Sequence, residues 1–165
     1  LIMGTRSGDV DPALVLHLMS KEELTLGDMN TLLNKHSGLS GISGVSSDMR
    51  EIEEAMEEGN DRARIAFEMF TYRLRKYIGS YIAALGGLDA LVFTGGISET
   101  WSLVRKNTVE KFAFAGIRID EEKNEESSET ARDISHKDAR VKTFVIPTNE
   151  ELVIAVDTEK LVNEL

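Results

Sequence analysis

Three short stretches of this chain hold residue types able to bind or move an anionic group. The first, MGTRSGDVDP (residues 3–12), brings the Arg6 guanidinium together with the hydroxyls of Thr5 and Ser7 and the carboxylates of Asp9 and Asp11. The planar fork of an arginine matches a carboxylate or a transferring phosphoryl group. An Arg6 paired with Asp9 or Asp11 would instead only fix a turn, and on composition alone that is the preferred reading. The second stretch is Thr94 to Glu99, where Gly95 and Gly96 let a ligand approach the backbone closely, as a nucleotide requires. Its spacing is neither that of a lysine-containing phosphate loop nor that of a dinucleotide fingerprint, so a tight strand-to-helix turn is the simpler account. The third is Thr148-Asn149-Glu150-Glu151. Thr148 and Glu151 read as a capping box, which leaves Glu150 free to hold a magnesium ion directly or through water. Of the three histidines, His17 reads as a packed core residue and His36 and His136 as loop residues. No spacing of His, Asp and Glu suggests a transition-metal site, and no nucleophile motif suggests a hydrolase. Phe93 and Trp101 are assigned to core packing.

These stretches must be positioned by regular elements. Pro12 opens a run, Ala13 to Met19, that suits a buried helix. Ser20 and Glu23 read as a capping box for a second helix carrying Leu24, Met29, Leu32 and Leu33, and the two helices are expected to pair. The Gly- and Ser-rich segment from His36 to Asp48 reads as an ordered loop, Asp48 as the start of a helix ending at Gly59-Asn60. From Asp61 to about Leu85, apolar residues recur at three- and four-residue steps, which predicts a long helix with one side on a core. Ala90 to Thr94 reads as a strand covered on both faces, followed by one helix from Glu99 to Phe114. Ile117 to Ile119 suits a short edge strand. Asp120 to Arg140 is highly charged and reads as a solvated loop or exposed helix without chemistry. Val141 to Ile146 is strand-like, Pro147 ends it, and a last helix carries Leu152 to Val162. The fold class expected is α/β, helix-rich, with two strand–helix units and a small, mainly parallel sheet.

Composition narrows the partners. The 165 residues are 41% hydrophobic and 29% charged, enough for one domain with a real core. With 29 acidic against 19 basic residues the net charge is -10, which repels phosphate backbones and anionic lipid, so neither nucleic acid nor membrane is an expected partner. The absence of cysteine excludes disulfides, thiolate metal sites and thiol nucleophiles, and the cytoplasm is the expected compartment. The opening LIMGTRSGD has neither an initiator Met nor the pattern of a signal peptide and reads as the start of a fragment.

Taken together, MGTRSGDVDP (3–12), NKHSGLSGISGVSSDMRE (34–51), KYIGSY (76–81), LVFTGGISE (91–99) and VIPTNEELVIAVDT (145–158) resemble the carboxyl-terminal portion of the acetate kinase family. The resemblance implies an actin/hexokinase-like (ribonuclease H-like) fold and a two-domain enzyme that moves the γ-phosphoryl group of ATP to acetate, reversibly giving acetyl phosphate and ADP, with magnesium. Residues 1–165 would be its nucleotide-side domain, without the amino-terminal domain and the first strands of their own, and inactive alone. By the same resemblance Arg6 is the catalytic arginine near the transferred group. Asp48, Met49 and Arg50 lie on the adenosine-contacting segment, and Gly95, Gly96, Ile97, Ser98 and Glu99 on the nucleotide turn. Glu150 is the magnesium-associated glutamate, and this half of the molecule builds a homodimer interface. Ser98 and Thr100 depart from the family's usual GIGEN turn, Ser98 being tolerable if its φ is negative. Met49 stands where a larger apolar residue often covers adenine. The missing strands would leave a sheet edge and apolar surface uncovered. Competing readings are a propionate kinase half and a non-catalytic dimerisation or nucleotide-binding module.

Overall fold

The computed structural model describes residues 1–163 and divides into two units, Leu1–Leu85 and Gly86–Leu165. The first unit is helical. Its α1 (Pro12–Lys21) opens as expected with proline in the first turn, and the Asp11 carboxylate accepts from the Ala13 N–H at 2.7 Å. The expectation that this helix is buried is corrected: none of its residues is buried, Leu16 is 69% exposed, and His17 is a surface residue rather than a core one. The helix packs on α2 (Leu26–Lys35). The capping box also lies elsewhere than expected. Thr25 and Asp28, not Ser20 and Glu23, cap α2 reciprocally, because Glu23 takes a left-handed φ of 52° in the turn that ends α1.

The glycine- and serine-rich segment, expected to be a loop, contains a helix, α3 (Gly38–Ser43). Its residues are poor helix formers, and the hydrogen bonds that start it come from elsewhere in the chain: the Leu39 and Ser40 N–H groups donate to the carbonyls of Met3 and Gly4, each at 2.9 Å. Asp48 caps α4 (Met49–Glu57) as expected, and Met49, Ile52 and Ala55 bury one face. The long helix α5 (Asp61–Leu85) has the predicted bounds, but only its first half is buried, at Ala63, Ala66, Phe67, Phe70 and Thr71, where it packs on α3 and α4. Ile65, Met69, Tyr81 and Leu85, counted with the core by periodicity, are exposed.

The second unit is a three-stranded sheet with flanking helices. β1 (Ala90–Phe93) pairs in parallel with β3 (Lys142–Val145), in the register Ala90 to Lys142 through Phe93 to Val145. β2 (Arg132–Asp133) lies antiparallel on the other side of β3, so the order is β1-β3-β2 and the sheet is mixed. Two expectations change here. β2 comes from the charged segment read as solvated, held by a core contact the composition hides: Ile134 is fully buried and its N–H donates to the Thr143 carbonyl at 2.9 Å. β1 is an edge strand with Val92 46% exposed, not a strand covered on both faces. Ile117 and Ile119 make single bridges, to Val141 and Ser135, in place of a strand.

The helix expected from Glu99 to Phe114 is two, α6 (Gly96–Thr100) and α7 (Ser102–Val109), broken at Trp101 by an extended backbone (φ -96°, ψ 104°). A short 3-10 turn (Ala113–Ala115) and α8 (Glu121–Glu125) follow, and α9 (Glu150–Asn163) ends the described chain with no buried residue. Its cap is Asn149, whose side-chain oxygen accepts from the Leu152 N–H at 3.1 Å, rather than the Thr148 and Glu151 pair. Phe93, Val104, Val109, Phe112, Ile117, Ile134, Val141 and Val145 form the core of this unit. Among the described residues, no helix is long and apolar enough to cross a membrane.

Candidate functional site

In the first unit the candidate residues cluster around residues 3–9. This segment has no regular structure, yet its backbone is tied on both sides of Arg6. Ser37 N–H donates to the Thr5 carbonyl at 3.0 Å, Ser7 N–H to Leu33 at 2.9 Å, and Met3 N–H to the Arg6 carbonyl itself at 3.2 Å. Gly4 lies against Ser47, one residue before the cap of α4, so the Arg6 segment and Asp48 are neighbours.

The alternative partners of Arg6 are engaged elsewhere. Tyr77, in the KYIGSY motif, donates its hydroxyl to both Asp9 carboxylate oxygens at 2.7 and 2.6 Å, and Arg73 donates to the Asp9 carbonyl at 3.0 Å. The Tyr77 hydrogen bond, with Arg73 and Lys76 nearby, holds the Asp9 carboxyl below its ordinary value. Asp11 caps α1. The Arg6 guanidinium is therefore exposed and without a hydrogen-bond or ion-pair partner among the described residues. A fixed backbone carrying an unpaired planar cation is suited to clamp a carboxylate or phosphoryl group that arrives from solvent.

At the start of α4, Arg50 forks onto Asp48, with Nη2 at 2.7 Å and Nε at 3.2 Å, and its own N–H also donates to that carboxylate at 2.9 Å. These Arg50 hydrogen bonds hold the Asp48 carboxyl below its ordinary value. Met49 points the other way. It is 1% exposed, among the core residues of the first unit, so its thioether is not at the surface to cover a ring.

In the second unit Gly95 begins α6 with φ 81°, a left-handed value that glycine adopts without strain. Gly96 has open space around it, and Ser98 has no positive φ, which meets the condition under which serine is tolerated there. Glu99 turns back over this turn. One of its carboxylate oxygens accepts from the Gly95 N–H at 2.6 Å and the Thr148 N–H at 2.8 Å, with the Thr94 hydroxyl at 3.4 Å. The carboxylate thus straps together the segments that leave β1 and β3, the carboxyl ends of two parallel strands, where open α/β sheets bind ligands. Glu150 lies two residues beyond Thr148, exposed at the first position of α9. The turn and Glu150 are brought to one end of the sheet by this strap.

Burial opposes ionisation of Glu99, but the N–H groups of Thr148 and Gly95 outweigh it, so the carboxyl lies below the ordinary glutamate value of 4.5. A depressed pKa contributes stability that is present above the unfolded value and lost as pH falls through the folded one. Replacing Glu99 by Gln, which mimics the protonated form, is expected to lower the unfolding temperature at pH 7, with the deficit shrinking below about pH 4.5. Thermal melts from pH 3 to 8 check this, and a deficit that persists unchanged at the acid end would remove the charged strap.

Arg105 and Asn124 were not singled out by motif. Arg105 is 1% exposed and gives every hydrogen bond to neutral oxygens: Nη1 to the Ser98 and Glu99 carbonyls at 2.8 and 2.9 Å, Nε to the Asn124 side chain at 2.7 Å, Nη2 to the Asn124 carbonyl at 2.6 Å. Burial, with Arg132 as a second cause and the Glu125 carboxylate opposing both, lowers its pKa to about 10, so it remains charged at neutral pH. One signal was available in the sequence: Arg105 stands four residues before Val109 and seven before Phe112, on the buried stripe of its segment.

The second unit thus carries a mixed α/β sheet with a glycine turn at its parallel carboxyl end, and the first unit an unpaired arginine on an anchored loop. The family follows from comparison with known proteins: the chain belongs to the acetokinase family, whose model matches residues 1–156. It is 54% identical over its whole length to an acetate kinase of Acetivibrio thermocellus, covering 41% of that protein. Among solved structures it resembles the Porphyromonas gingivalis acetate kinase (46% identity, TM-score 0.91, 98% of this chain and 41% of that one). It also resembles a propionate kinase from Francisella tularensis (41% identity, TM-score 0.84, 94% and 39%). The helix-rich α/β fold with a small sheet, expected to be actin/hexokinase-like, is that of these neighbours. The chain spans about two fifths of the length of the relatives it matches.

Proposed function

We propose that this chain is the nucleotide-side, carboxyl-terminal portion of a kinase that transfers the γ-phosphoryl group of ATP to acetate, reversibly, acting with an amino-terminal portion that completes the site. The observation that carries this reading is Arg6, held on a backbone tied at Thr5, Arg6 and Ser7 with its guanidinium unpaired. Phosphoryl transfer asks a protein mainly for positioning and for positive charge near the developing anion. Arg6 supplies that charge to the carboxylate acceptor and the transferred group. The Gly95–Ser98 turn and the Asp48–Arg50 segment hold the nucleotide, and Glu99 keeps the turn in place. Magnesium, when bound, draws negative charge from the phosphate oxygens. Among the described residues no group of three or more His, Cys, Asp or Glu could hold a metal ion. The exposed carboxylate of Glu150 fits the other mode, in which one or two carboxylates join water and substrate phosphates around magnesium. The functional protein is read as a cytoplasmic homodimer.

The test is acyl hydroxamate formation by the full-length polypeptide with MgATP and either acetate or propionate. Acetate is expected to be the better acceptor; preference for propionate would move the assignment to the propionate kinases, one of which is a structural neighbour. A folded protein that binds ATP but forms no acyl phosphate would make the chain a binding module. In the same assay Glu150→Gln is expected to raise the magnesium concentration for half-maximal rate by about tenfold. An unchanged magnesium requirement would take Glu150 out of the metal site.

A further inference from the structure

We propose that Arg105 is a positioning residue for the nucleotide turn, holding the Gly95–Ser98 backbone from inside the second unit while Glu99 holds it from outside; this rests on the reading that the turn faces the nucleotide. α6 spans only Gly96–Thr100, so most of its carbonyls have no partner within the helix. Two of them, Ser98 and Glu99, accept from a single nitrogen of Arg105. The rest of the guanidinium is fixed by Asn124, which is 1% exposed and whose side-chain nitrogen donates to the Ser102 carbonyl at 3.0 Å.

The network therefore spans Ser98 to Ser102, across the break at Trp101, and determines where α6 ends relative to α7 and α8. On the other side the Glu99 carboxylate fixes Gly95 and Thr148. Glu99 is gripped at both ends, its carbonyl by Arg105 and its carboxylate by backbone N–H groups. The glycines between these anchors have little of their own to hold them, with open space around Gly95 and Gly96. A buried cation whose hydrogen bonds all go to neutral oxygens, with only the charge of Glu125 nearby to favour it, costs a protein stability. A methionine of similar length would remove that cost but leave the Ser98, Glu99 and Asn124 oxygens unsatisfied. The retained charge is thus explained by what it holds.

The experiment compares Arg105→Met, Arg105→Lys and a surface control, Lys106→Ala, in the full-length polypeptide. Lys106 is exposed and pairs with Glu121. The two readouts are steady-state kinetics and backbone hydrogen exchange of peptide 94–101. Arg105→Met is expected to raise the KM for ATP by about tenfold, with the KM for acetate and kcat at saturating ATP within about threefold of wild type, because a full displacement of about 1 Å of a positioned group costs up to about 10²-fold and the Glu99 strap limits the shift of the turn to less. Exchange in 94–101 is expected to accelerate by a similar factor, while 61–85 is unchanged. Arg105→Lys, which keeps the charge but not the fork, is expected to lie between the two and serves if the methionine variant does not fold. Lys106→Ala is expected to match wild type. Wild-type exchange and KM for ATP in folded Arg105 variants would overturn the proposal. A uniform rise in exchange across residues 86–163 with unchanged kinetics would also overturn it, leaving Arg105 a stabilising residue only. Faster exchange confined to 94–101 with an unchanged KM for ATP would overturn the placement of the nucleotide on this turn, and the proposal with it.

Discussion

On the proposed kinase reading, replacing Arg6 by alanine is expected to lower the kcat of the full-length polypeptide by about a thousandfold while leaving its unfolding temperature nearly unchanged. The size follows from removing a charged donor aimed at a developing anion, which typically costs about 10²- to 10³-fold or more. The selectivity follows from this structure. The loop around Arg6 is held by its backbone, through Thr5, Arg6 and Ser7, and by Asp9 on Tyr77, none of which uses the guanidinium. Surface side chains without partners change stability by only about 0.5 kcal/mol when truncated. Arg6→Lys is expected to recover little, since an ammonium keeps the charge but loses the two-pronged geometry. Steady-state kinetics with thermal melts on the same samples decide the matter. A variant that keeps its turnover, or loses turnover only in proportion to folded protein, would return Arg6 to the simpler role of a turn residue.

The second large effect is expected at Gly38, where the change is structural first and functional second. Gly38 has φ 63°, and a Cβ there would overlap the Met3 carbonyl and crowd the Arg6 backbone. Alanine must bear both the left-handed conformation and the overlap, an expected loss of about 2–4 kcal/mol. Gly59 separates the two terms: its φ is 86°, but nothing lies within 4 Å of where its Cβ would be. Gly59→Ala is expected to cost only about 1 kcal/mol. Urea titrations should therefore show a much larger fall in midpoint for Gly38→Ala. Because the overlap lies against the loop that carries Arg6, the folded fraction of that variant should also turn over more slowly than wild type. Equal losses at the two glycines would mean that close packing of the loop on α3 contributes nothing.

Elements driven by their own residues were legible. Asp48 as a cap, the bounds of α5, the pairing of α1 with α2 and the strand–turn–helix arrangement at Gly95 and at Thr148 follow from local signals that act over a few residues. Reading failed where the deciding contact was remote. α3 exists because Met3 and Gly4 carbonyls take its first N–H groups, and β2 because Ile134 is buried and bonded to Thr143. Neither partner lies within local reach of the segment it organises. The capping box expected at Ser20 is found instead at Thr25, because Glu23 turns left-handed, and the cap expected at Thr148 passes to Asn149, because the Glu99 carboxylate takes the Thr148 N–H.

The same division holds for the candidate site. Motifs in the sequence by themselves determined the family, the identity of Arg6 and Glu150 as candidates, and the position of the glycine turn, because a residue's chemical type and its neighbours in the chain are local facts. Only the tertiary structure decided that Arg6 is unpaired, since Asp9 is drawn to Tyr77, 68 residues away. Only it decided that Glu99 is a strap reaching Thr148, that Met49 faces the core, and that Arg105 is buried behind the turn. Hydrogen bonds and burial depend on which atoms meet in space, and a chain's order along its length does not specify how its available partners are divided among competing donors and acceptors.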